Sequence, residues 1–353
     1  FGGISATVVS ATATTLRVTV PASVMNGLAT VTVSGATTAG VSYVVGMISP
    51  SVAGGFTAVD GSVSDDGRYI AFATQQSLVA ADTNSTIDVY LRDRQTNTTT
   101  LISKASNGQV GNDTSFLPRI SGDGSVIVFV SNATNLVAGD TNLAADVFRY
   151  TIATGTLELV SVNNAGVIGN DSSIFASVSR DGQRVVFQSK ALNLSPDDSD
   201  ALDDIFLRDY RVNPPTTTLI SRNSTNFKGN GLSVEPAISP DGNFVAFASN
   251  ATNLDPADGV SNYDIFVRNL AAGTTAVVSR TSAGTLINGD SRRPSISDNG
   301  TRVVFAAQAA LVPTDTNSVE DIYMRDTSAG TTTLISQTAG GNAGNGLSFF
   351  ATI

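Results

Sequence analysis

The chain has 353 residues, of which 41% are apolar and 14% charged, and its formal net charge at pH 7 is -10. With only 20 Lys and Arg, the sequence lacks the basic surface that nucleic acids and anionic membranes require, and no apolar run reaches the ~20 residues of a membrane-spanning helix. Cys and His are absent, which excludes disulfides, Ser-His-Asp and Cys-His catalysis, and His-ligated zinc or iron.

The first part of the chain predicts short strands. Residues that favour β structure alternate in three segments, namely 6–9, 15–20 and 29–33. The stretch 16–35 resembles the second half of an IPT/TIG immunoglobulin-like domain, and Phe1-Gly2-Gly3 resembles the end of that family's glycine-rich strand. The resemblance implies a partial immunoglobulin-like β-sandwich over residues 1–46 whose first strands lie upstream of residue 1. The alternative is a generic β segment.

From residue 47 onward, one motif recurs five times. A Ser stands two residues before an Asp-Gly or Asn-Gly pair, and a Phe follows the Gly by five positions. The glycines are separated by 57, 58, 60 and 58 residues, which indicates a repeat architecture over a second domain, residues 47–353. The five glycines are Gly67, Gly124, Gly182, Gly242 and Gly300, and the five phenylalanines are Phe72, Phe129, Phe187, Phe247 and Phe305.

Each repeat predicts four strands, which we call A to D. Strand A ends at the Ser, a tight hairpin leads into strand B with its Phe, and a long loop leads to strand C, whose first residue is Asp. A short turn then leads to strand D. Because such hairpins join antiparallel neighbours, the pattern predicts an all-β fold, a β-propeller of four-stranded blades, rather than a stacked β-solenoid. We expect the Phe side chains to form the core between blades.

A known repeat resembles these units. Residues 239–247, Ser-Pro-Asp-Gly-Asn-Phe-Val-Ala-Phe, and 264–267, Asp-Ile-Phe-Val, are similar to the TolB-like propeller repeat, a relative of the WD-repeat family, and the resemblance extends over all five units. A common blade has ~40–45 residues, so the surplus falls in the B–C and D–A loops. Residues 344–353 match strand A. The sequence thus predicts five complete blades and the start of a sixth, completed by a continuation, by another chain or not at all.

The acidic B–C loops carry the candidate site. In this topology the B–C and D–A loops share one face, and four repeats place Asp-x-Asn or Asp-x-Asp before the C-strand Asp, which follows the first Asp by six residues. Hard oxygen ligands two residues apart in a tight turn, with a further carboxylate at the strand entry, predict Ca2+ binding. The candidate ligands are Asp82, Asn84 and Asp88; Asp140, Asn142 and Asp146; Asp198, Asp200 and Asp204; and Asp315, Asn317 and Asp321.

The fourth repeat departs from this pattern, because Val260 stands between Asp258 and Asp264, and we expect no ion there. The competing interpretation of all the loops is that Asp and Asn cap turns through nearby backbone amides. A further recurring residue is the Arg four positions after the C-strand Asp, for which ion pairs between blades are expected rather than a ligand ring. These residues are Arg92, Arg208, Arg268 and Arg325.

No acid pair stands apart from the repeat, so the sequence predicts no catalytic residue. We expect a non-catalytic structural or interaction module of a larger secreted or cell-surface bacterial protein, part of a polymeric assembly, with other protein chains or copies of itself as partners. This step rests partly on analogy with surface proteins that string such modules together. The alternative is a polysaccharide-binding or polysaccharide-cleaving propeller. A third reading is a periplasmic TolB-type partner-binding propeller. The expected location is extracellular or the cell surface.

Overall fold

The computed structural model describes six short strands between residues 7 and 43 and the continuous stretch 60–353. It divides into two compact units, Phe1–Gly55 and Phe56–Ile353. Across the described ranges, no helix reaches the length and apolarity that crossing a membrane requires. In the first unit β1 pairs with β2, β3 with β6 and β4 with β5, all antiparallel. These strands are β1 (Thr7–Ala11), β2 (Leu16–Thr19), β3 (Gly27–Ala29), β4 (Thr32–Val33), β5 (Ala36–Thr37) and β6 (Val41–Tyr43).

The predicted immunoglobulin-like sandwich of residues 1–46 falls partly on residues outside the described ranges, among them Phe1-Gly2-Gly3. The sandwich therefore stays a prediction.

The second unit consists of five four-stranded antiparallel sheets, each with its strands in sequence order, as a propeller blade requires. Blade 1 is β7 (Asp60–Val63), β8 (Tyr69–Thr74), β9 (Asp88–Asp93) and β10 (Thr98–Leu101); blade 2 is β11 (Ser115–Ile120), β12 (Val126–Ser131), β13 (Asp146–Thr151) and β14 (Thr156–Leu159); blade 3 is β15 (Ser173–Val178), β16 (Arg184–Ser189), β17 (Asp204–Asp209) and β18 (Thr216–Leu219); blade 4 is β19 (Ser233–Ile238), β20 (Phe244–Ser249), β21 (Asp264–Asn269) and β22 (Thr274–Val277); blade 5 is β23 (Ser291–Ile296), β24 (Arg302–Ala307), β25 (Asp321–Asp326) and β26 (Thr331–Leu334).

An aromatic pair lies at the centre of every blade. In blade 3, Phe187 of β16 and Phe206 of β17 are direct cross-strand partners, their ring centroids are 5.8 Å apart, and both side chains are fully buried. The B-strand Phe and the C-strand Phe or Tyr repeat this arrangement in the other four blades. The prediction that the recurring Phe belongs to the core is confirmed.

The core lies between successive blades. The aliphatic side chains Val126, Val128 and Val130 of blade 2 pack in one cluster with Phe187 and Phe206 of blade 3. Equivalent clusters join blades 1 and 2, blades 3 and 4, and blades 4 and 5. Four-stranded antiparallel sheets that pack face to face in succession are the arrangement of a propeller, and the antiparallel ladders exclude a solenoid of parallel strands.

The repeated hairpin has a local physical cause. In blade 3, Ser179 donates its hydroxyl to Asp181 at 2.5 Å, and Asp181 in turn accepts the amide of Gln183 at 3.1 Å. Gly182 has a φ of 65°, and a Cβ there would lie 2.7 Å from a Val126 methyl group. The turn therefore requires both the capping Asp and a Gly without a side chain.

Two sets of hydrogen bonds join strands C and D of a blade to the preceding D–A loop. In blade 4, Arg268 donates to the carbonyl oxygen of Asn223 at 2.9 Å, and Thr275 donates to that of Arg222 at 2.5 Å. Arg208 with Thr217 and Arg325 with Thr332 form the same pair of contacts in blades 3 and 5. We call this Arg and Thr pair the staple. The expected ion pairs between blades are replaced here by bonds to main-chain carbonyls.

Residues 344–353 follow the path of a strand A. Ser348 donates its amide to the carbonyl of Glu320 at 2.8 Å, as Ser291 does to that of Tyr263 one blade earlier at 2.6 Å. Phe350 has the positive φ of the A-strand bulge, 61°. The described residues place no strand beside this segment, so it forms no ladder.

Candidate functional site

The C-strand Asp makes the same structural hydrogen bond in all five blades. In blade 2, Asp146 accepts the hydroxyl of Ser161 at 2.6 Å, and that hydroxyl accepts the amide of Val147 at 3.2 Å. This network ties the start of strand C to the end of strand D. The same 2.6 Å bond joins Asp88 to Ser103, Asp204 to Ser221, Asp264 to Ser279 and Asp321 to Ser336. One oxygen of each C-strand carboxylate is therefore already occupied.

The middle Asn of the loop caps a turn and reaches across the site. In blade 2, the Asn142 amide nitrogen donates to Asp146 and to the carbonyl of Gly169, both at 2.8 Å, and its oxygen accepts the amide of Ala144 at 3.0 Å. Asn317 makes the equivalent contacts in blade 5. In blade 1, Asn84 contacts Gly111 and Thr86 in the same way. The amide side of the Asn thus faces the acidic group.

Blade 3 replaces this amide by an internal cation. Asp198, Asp200 and Asp204 bring three carboxylates together, and they are the one cluster of metal-ligand type in the described part of the chain. The Lys228 ammonium lies 2.8 Å from Asp200, 2.8 Å from Asp204 and 3.8 Å from Asp198. Burial acts to lower the pKa of Lys228, but its bonds to Asp200 and Asp204 outweigh burial and raise it. The ammonium therefore already compensates part of the charge of the three carboxylates at which the sequence predicts an ion.

The first Asp of the loop is satisfied differently in different blades. In blade 1 the Tyr90 hydroxyl donates to Asp82, and in blade 5 the Tyr323 hydroxyl donates to Asp315. Burial raises the pKa of both tyrosines, so the phenols stay protonated donors. Blades 2, 3 and 4 have Phe at this position and cannot make the bond. The phenylalanines are Phe148, Phe206 and Phe266.

Blade 4, where no ion was expected, uses the backbone instead. Asp258 accepts the amide of Val260 at 3.1 Å, and its other oxygen is buried without a partner. Taken blade by blade, the contacts match the turn-cap interpretation at most positions. Calcium binding at the twelve candidate ligands stays a prediction.

Burial perturbs the acids of this face. It raises the pKa of Asp88, Asp146, Asp204 and Asp264 to about 6. The folded protein therefore binds these protons more tightly than the unfolded chain does, and stability is gained as the pH falls through 6. The opposite effect comes from Asp93, whose pKa the bond to Arg68 lowers to about 2, and it acts only below about pH 4.

We expect the melting temperature in calcium-free buffer to rise by several degrees between pH 7 and pH 5, as these buried carboxylates become protonated. Scanning calorimetry at constant ionic strength measures the change. A melting temperature that falls steadily over this interval would contradict the burial of these carboxylates.

A second feature is the cavity at the inner strands. It has a volume of about 780 Å3 and is lined by the A strands of blades 2 to 5 together with residues 350–352. Its lining contains one carboxylate, Glu235, which accepts the amide of Arg293 at 2.8 Å. The Arg293 guanidinium in turn lies 3.1 Å from Glu320. The cavity therefore lies on the inner, A-strand side of the sheets, and Arg293 joins its lining to Glu320 at the end of the blade 5 B–C loop.

The cavity is ringed by strained residues at one repeated position. In blades 2 to 5, seven residues before the hairpin glycine, the A strand contains a bulge whose residue has a positive φ. Non-glycine residues in this region cost about 1–3 kcal/mol each and concentrate at functional sites. The ring consists of Leu117, Phe175, Glu235 and Arg293, with Phe350 at the matching position of the last segment. The ring could not be predicted from the sequence, because no particular residue type marks the position of the bulge.

Solved structures similar to this chain include the following three. TolB from Acinetobacter baumannii is 18% identical with a TM-score of 0.46, covering 78% of this chain and 53% of that one, so the chain spans about half the length of that relative. The putative TolB from Agrobacterium tumefaciens is 17% identical with a TM-score of 0.47, covering 79% of each chain. The β-propeller domain of the trilobed protease from Pyrococcus furiosus is 10% identical with a TM-score of 0.48, covering 80% of this chain and 71% of that one. No protein-family model and no curated protein matches.

Proposed function

We propose that the chain is a non-catalytic interaction module of a larger secreted or cell-surface protein and that it binds an extended segment of another protein chain in the inner cavity. The observation that carries the proposal is the ring of bulge residues. One backbone position, held in the same strained conformation, carries Leu, Phe, Glu, Arg and Phe in succession, whereas the Ser two positions earlier and the Ile or Val three positions later recur in every copy. Variation at a conformationally constrained, cavity-lining position suits recognition rather than packing.

The chemistry of the lining indicates the kind of segment. The Phe175 side chain is 41% exposed and that of Phe350 72% exposed, so both present aromatic surface to a ligand. Arg119 lines the same cavity and has no acidic partner among the described residues. An extended peptide with an apolar and an acidic side chain complements these three residues, because aromatic and Arg side chains contribute most of the binding energy at protein interfaces.

The same lining argues against hydrolysis. A glycosidase of the usual kind needs two carboxylic acids about 5–10 Å apart, one of them with a raised pKa. Glu235 is the one carboxylate in the cavity lining, and the Arg293 amide already donates to it. The four acids whose pKa burial raises to about 6 begin the C strands, where a Ser hydroxyl binds each of them in the same way. This supports a binding role over the polysaccharide-cleaving alternative.

The test uses a random peptide library displayed on phage and selected against the folded chain. We expect enriched peptides whose affinity falls about tenfold or more with Phe175→Asn, a change that keeps a residue tolerant of positive φ while removing the aromatic anchor. Phe227→Asn is the matched control, because Phe227 is 70% exposed on a D–A loop and should leave affinity unchanged. Absence of enriched peptides, or equal effects of both variants, would contradict the proposal.

The polysaccharide alternative is tested on the same preparation. Release of reducing ends from acidic or neutral polysaccharides, abolished by Glu235→Gln, would replace the proposed role by catalysis. We expect no such release.

A further inference from the structure

One loop carboxylate differs from all the others. Asp140, the first Asp of the blade 2 loop, is 6% exposed, yet neither of its oxygens accepts a hydrogen bond or forms an ion pair with any residue in the described part of the chain. A buried carboxylate without donors is costly, because desolvation of the charge is not compensated. Burial accordingly raises the pKa of Asp140.

The rest of the chain shows what such an Asp needs. Blades 1 and 5 supply a Tyr hydroxyl, and blade 4 supplies the amide of Val260. Blade 3 supplies a lysine ammonium, and Asp198 there also accepts the amide of Asp200 at 3.4 Å. Blade 2 has Phe148 in place of the Tyr and Ile168 in place of Lys228. The described residues of blade 2 thus supply no donor to Asp140.

A polar cleft lies beside this carboxylate. It has a volume of about 510 Å3, and the lining includes Asp140, Thr134 and Asn135 of blade 2 with Ser106 and Asn107 of the preceding D–A loop. Their hydroxyl, amide and carboxylate oxygens are hard ligands. The amide oxygens of Asn135 and Asn107 each already accept one backbone amide, whereas the Asp140 carboxylate accepts none. The space is large enough for an ion and several waters, since a water occupies roughly 30 Å3. The cleft is thus both polar and roomy.

The cleft exists because blade 2 lacks the staple. Tyr150 and Leu157 are the cross-strand pair that replaces Arg208 and Thr217 of blade 3. Leu157 has no hydroxyl with which to bind the preceding loop, and it lines the cleft instead. The D–A loop of blade 1 therefore lacks the bonds to strand D that hold the other loops against blades 3, 4 and 5. Asn112 and Asn135 still join it to the B–C loop of blade 2. The open cleft and the unpartnered Asp140 occur in the same blade.

We infer that Asp140 binds one Ca2+ in the cleft between blade 1 and blade 2. The ligand set contains oxygen only, and Ca2+ accepts six to eight oxygens, including neutral groups and waters, in irregular geometry, whereas Mg2+ demands a near-ideal octahedron. The net charge of -10 adds a general attraction for a divalent cation. The inference is independent of peptide binding in the inner cavity. The sequence motif predicted calcium in four B–C loops, whereas this inference places it in the blade 2 loop alone.

The test is a calcium titration of the whole chain by isothermal calorimetry after treatment with chelator. We expect about one site per chain with a Kd of about 0.1–1 mM, the range of extracellular calcium modules. At 10 mM CaCl2 the melting temperature should rise by about 2–4 °C over the chelated sample. NaCl at equal ionic strength is the control for screening of surface charge and should not reproduce the rise.

Two single-atom variants separate ion binding from folding. Phe148→Tyr should supply Asp140 with the hydroxyl that Tyr90 gives to Asp82, so that calcium binding weakens at least tenfold while the calcium-free protein stays folded. Phe206→Tyr makes the same chemical change in blade 3 and should leave calcium binding unchanged. Asp140→Asn removes the proposed ligand charge and should abolish calcium binding.

Each other outcome overturns the inference. Four sites per chain would assign calcium to the loop motif rather than to Asp140. No saturable binding, a melting rise that NaCl reproduces, or equal binding by wild type and Phe148→Tyr would each show that Asp140 holds no ion.

Discussion

Phe187→Ala is expected to lower the free energy of unfolding by about 3–5 kcal/mol, the usual cost of truncating a buried aromatic side chain. Phe187 is fully buried, stacks on Phe206 across the ladder and packs against Val126 and Val128 of the preceding blade. Its removal would open a cavity within a blade and also between two blades. Close-packed sheets collapse little around such a cavity, so most of the loss should remain. Equilibrium denaturation in urea measures the difference.

The matched control for this prediction is Phe227→Ala. Phe227 is 70% exposed, so its loss should change stability by no more than about 0.5 kcal/mol. A loss below about 1 kcal/mol for Phe187→Ala would contradict the assignment of the recurring Phe to the core between blades.

Lys228→Met is expected to cost a comparable amount, about 3–5 kcal/mol at pH 7, because removing one member of a buried ion pair leaves its partners uncompensated. The Lys228 side chain is 10% exposed, and those of Asp198 and Asp204 are fully buried. Without the ammonium, the three carboxylates of blade 3 repel one another in a poorly hydrated site. Lowering the pH to 5 should protonate part of the cluster and shrink the deficit.

The chain itself provides the design for a rescue. Blade 2 has Asn142 and Ile168 where blade 3 has Asp200 and Lys228. Adding Asp200→Asn to Lys228→Met should therefore restore much of the lost stability, with the new amide donating to Asp204 as Asn142 donates to Asp146. Lys190→Met, at an exposed position, should be nearly neutral. A single-variant loss near zero, or a double variant no more stable than the single, would contradict the internal-cation role.

Much of the fold could be predicted from the sequence because each blade depends on local rules. The Ser-x-Asp-Gly motif by itself predicts a tight hairpin. A Phe at a constant distance after that hairpin must lie on the same face of strand B in every blade. Packing between blades follows, since every unit presents the same faces to its neighbours. The partners of the staple could not be predicted. A recurring Arg suggests an ion pair, and nothing in the repeat indicates that its partner is a main-chain carbonyl oxygen.

The candidate site was harder to predict, because the acidic motif has the same residues whether its oxygens bind a metal ion or accept hydrogen bonds from the protein. What distinguishes the blades lies outside the motif, in Tyr90 or Phe148 on strand C and in Lys228 or Ile168 on the D–A loop. The replacement of Asn by Asp200 in the one repeat that also contains Lys228 was visible in the sequence as a paired change. The cleft beside Asp140 was not visible, because it results from contacts that blade 2 fails to make.

The most direct test of how the acidic face is neutralised is an anomalous difference map from crystals of the whole chain grown with 10 mM CaCl2. The contacts predict one peak, about 2.3–2.6 Å from a carboxylate oxygen of Asp140, with the Lys228 ammonium still among Asp198, Asp200 and Asp204 in blade 3. Peaks at the Asp82, Asp198 and Asp315 loops, or no peak at Asp140, would contradict the account.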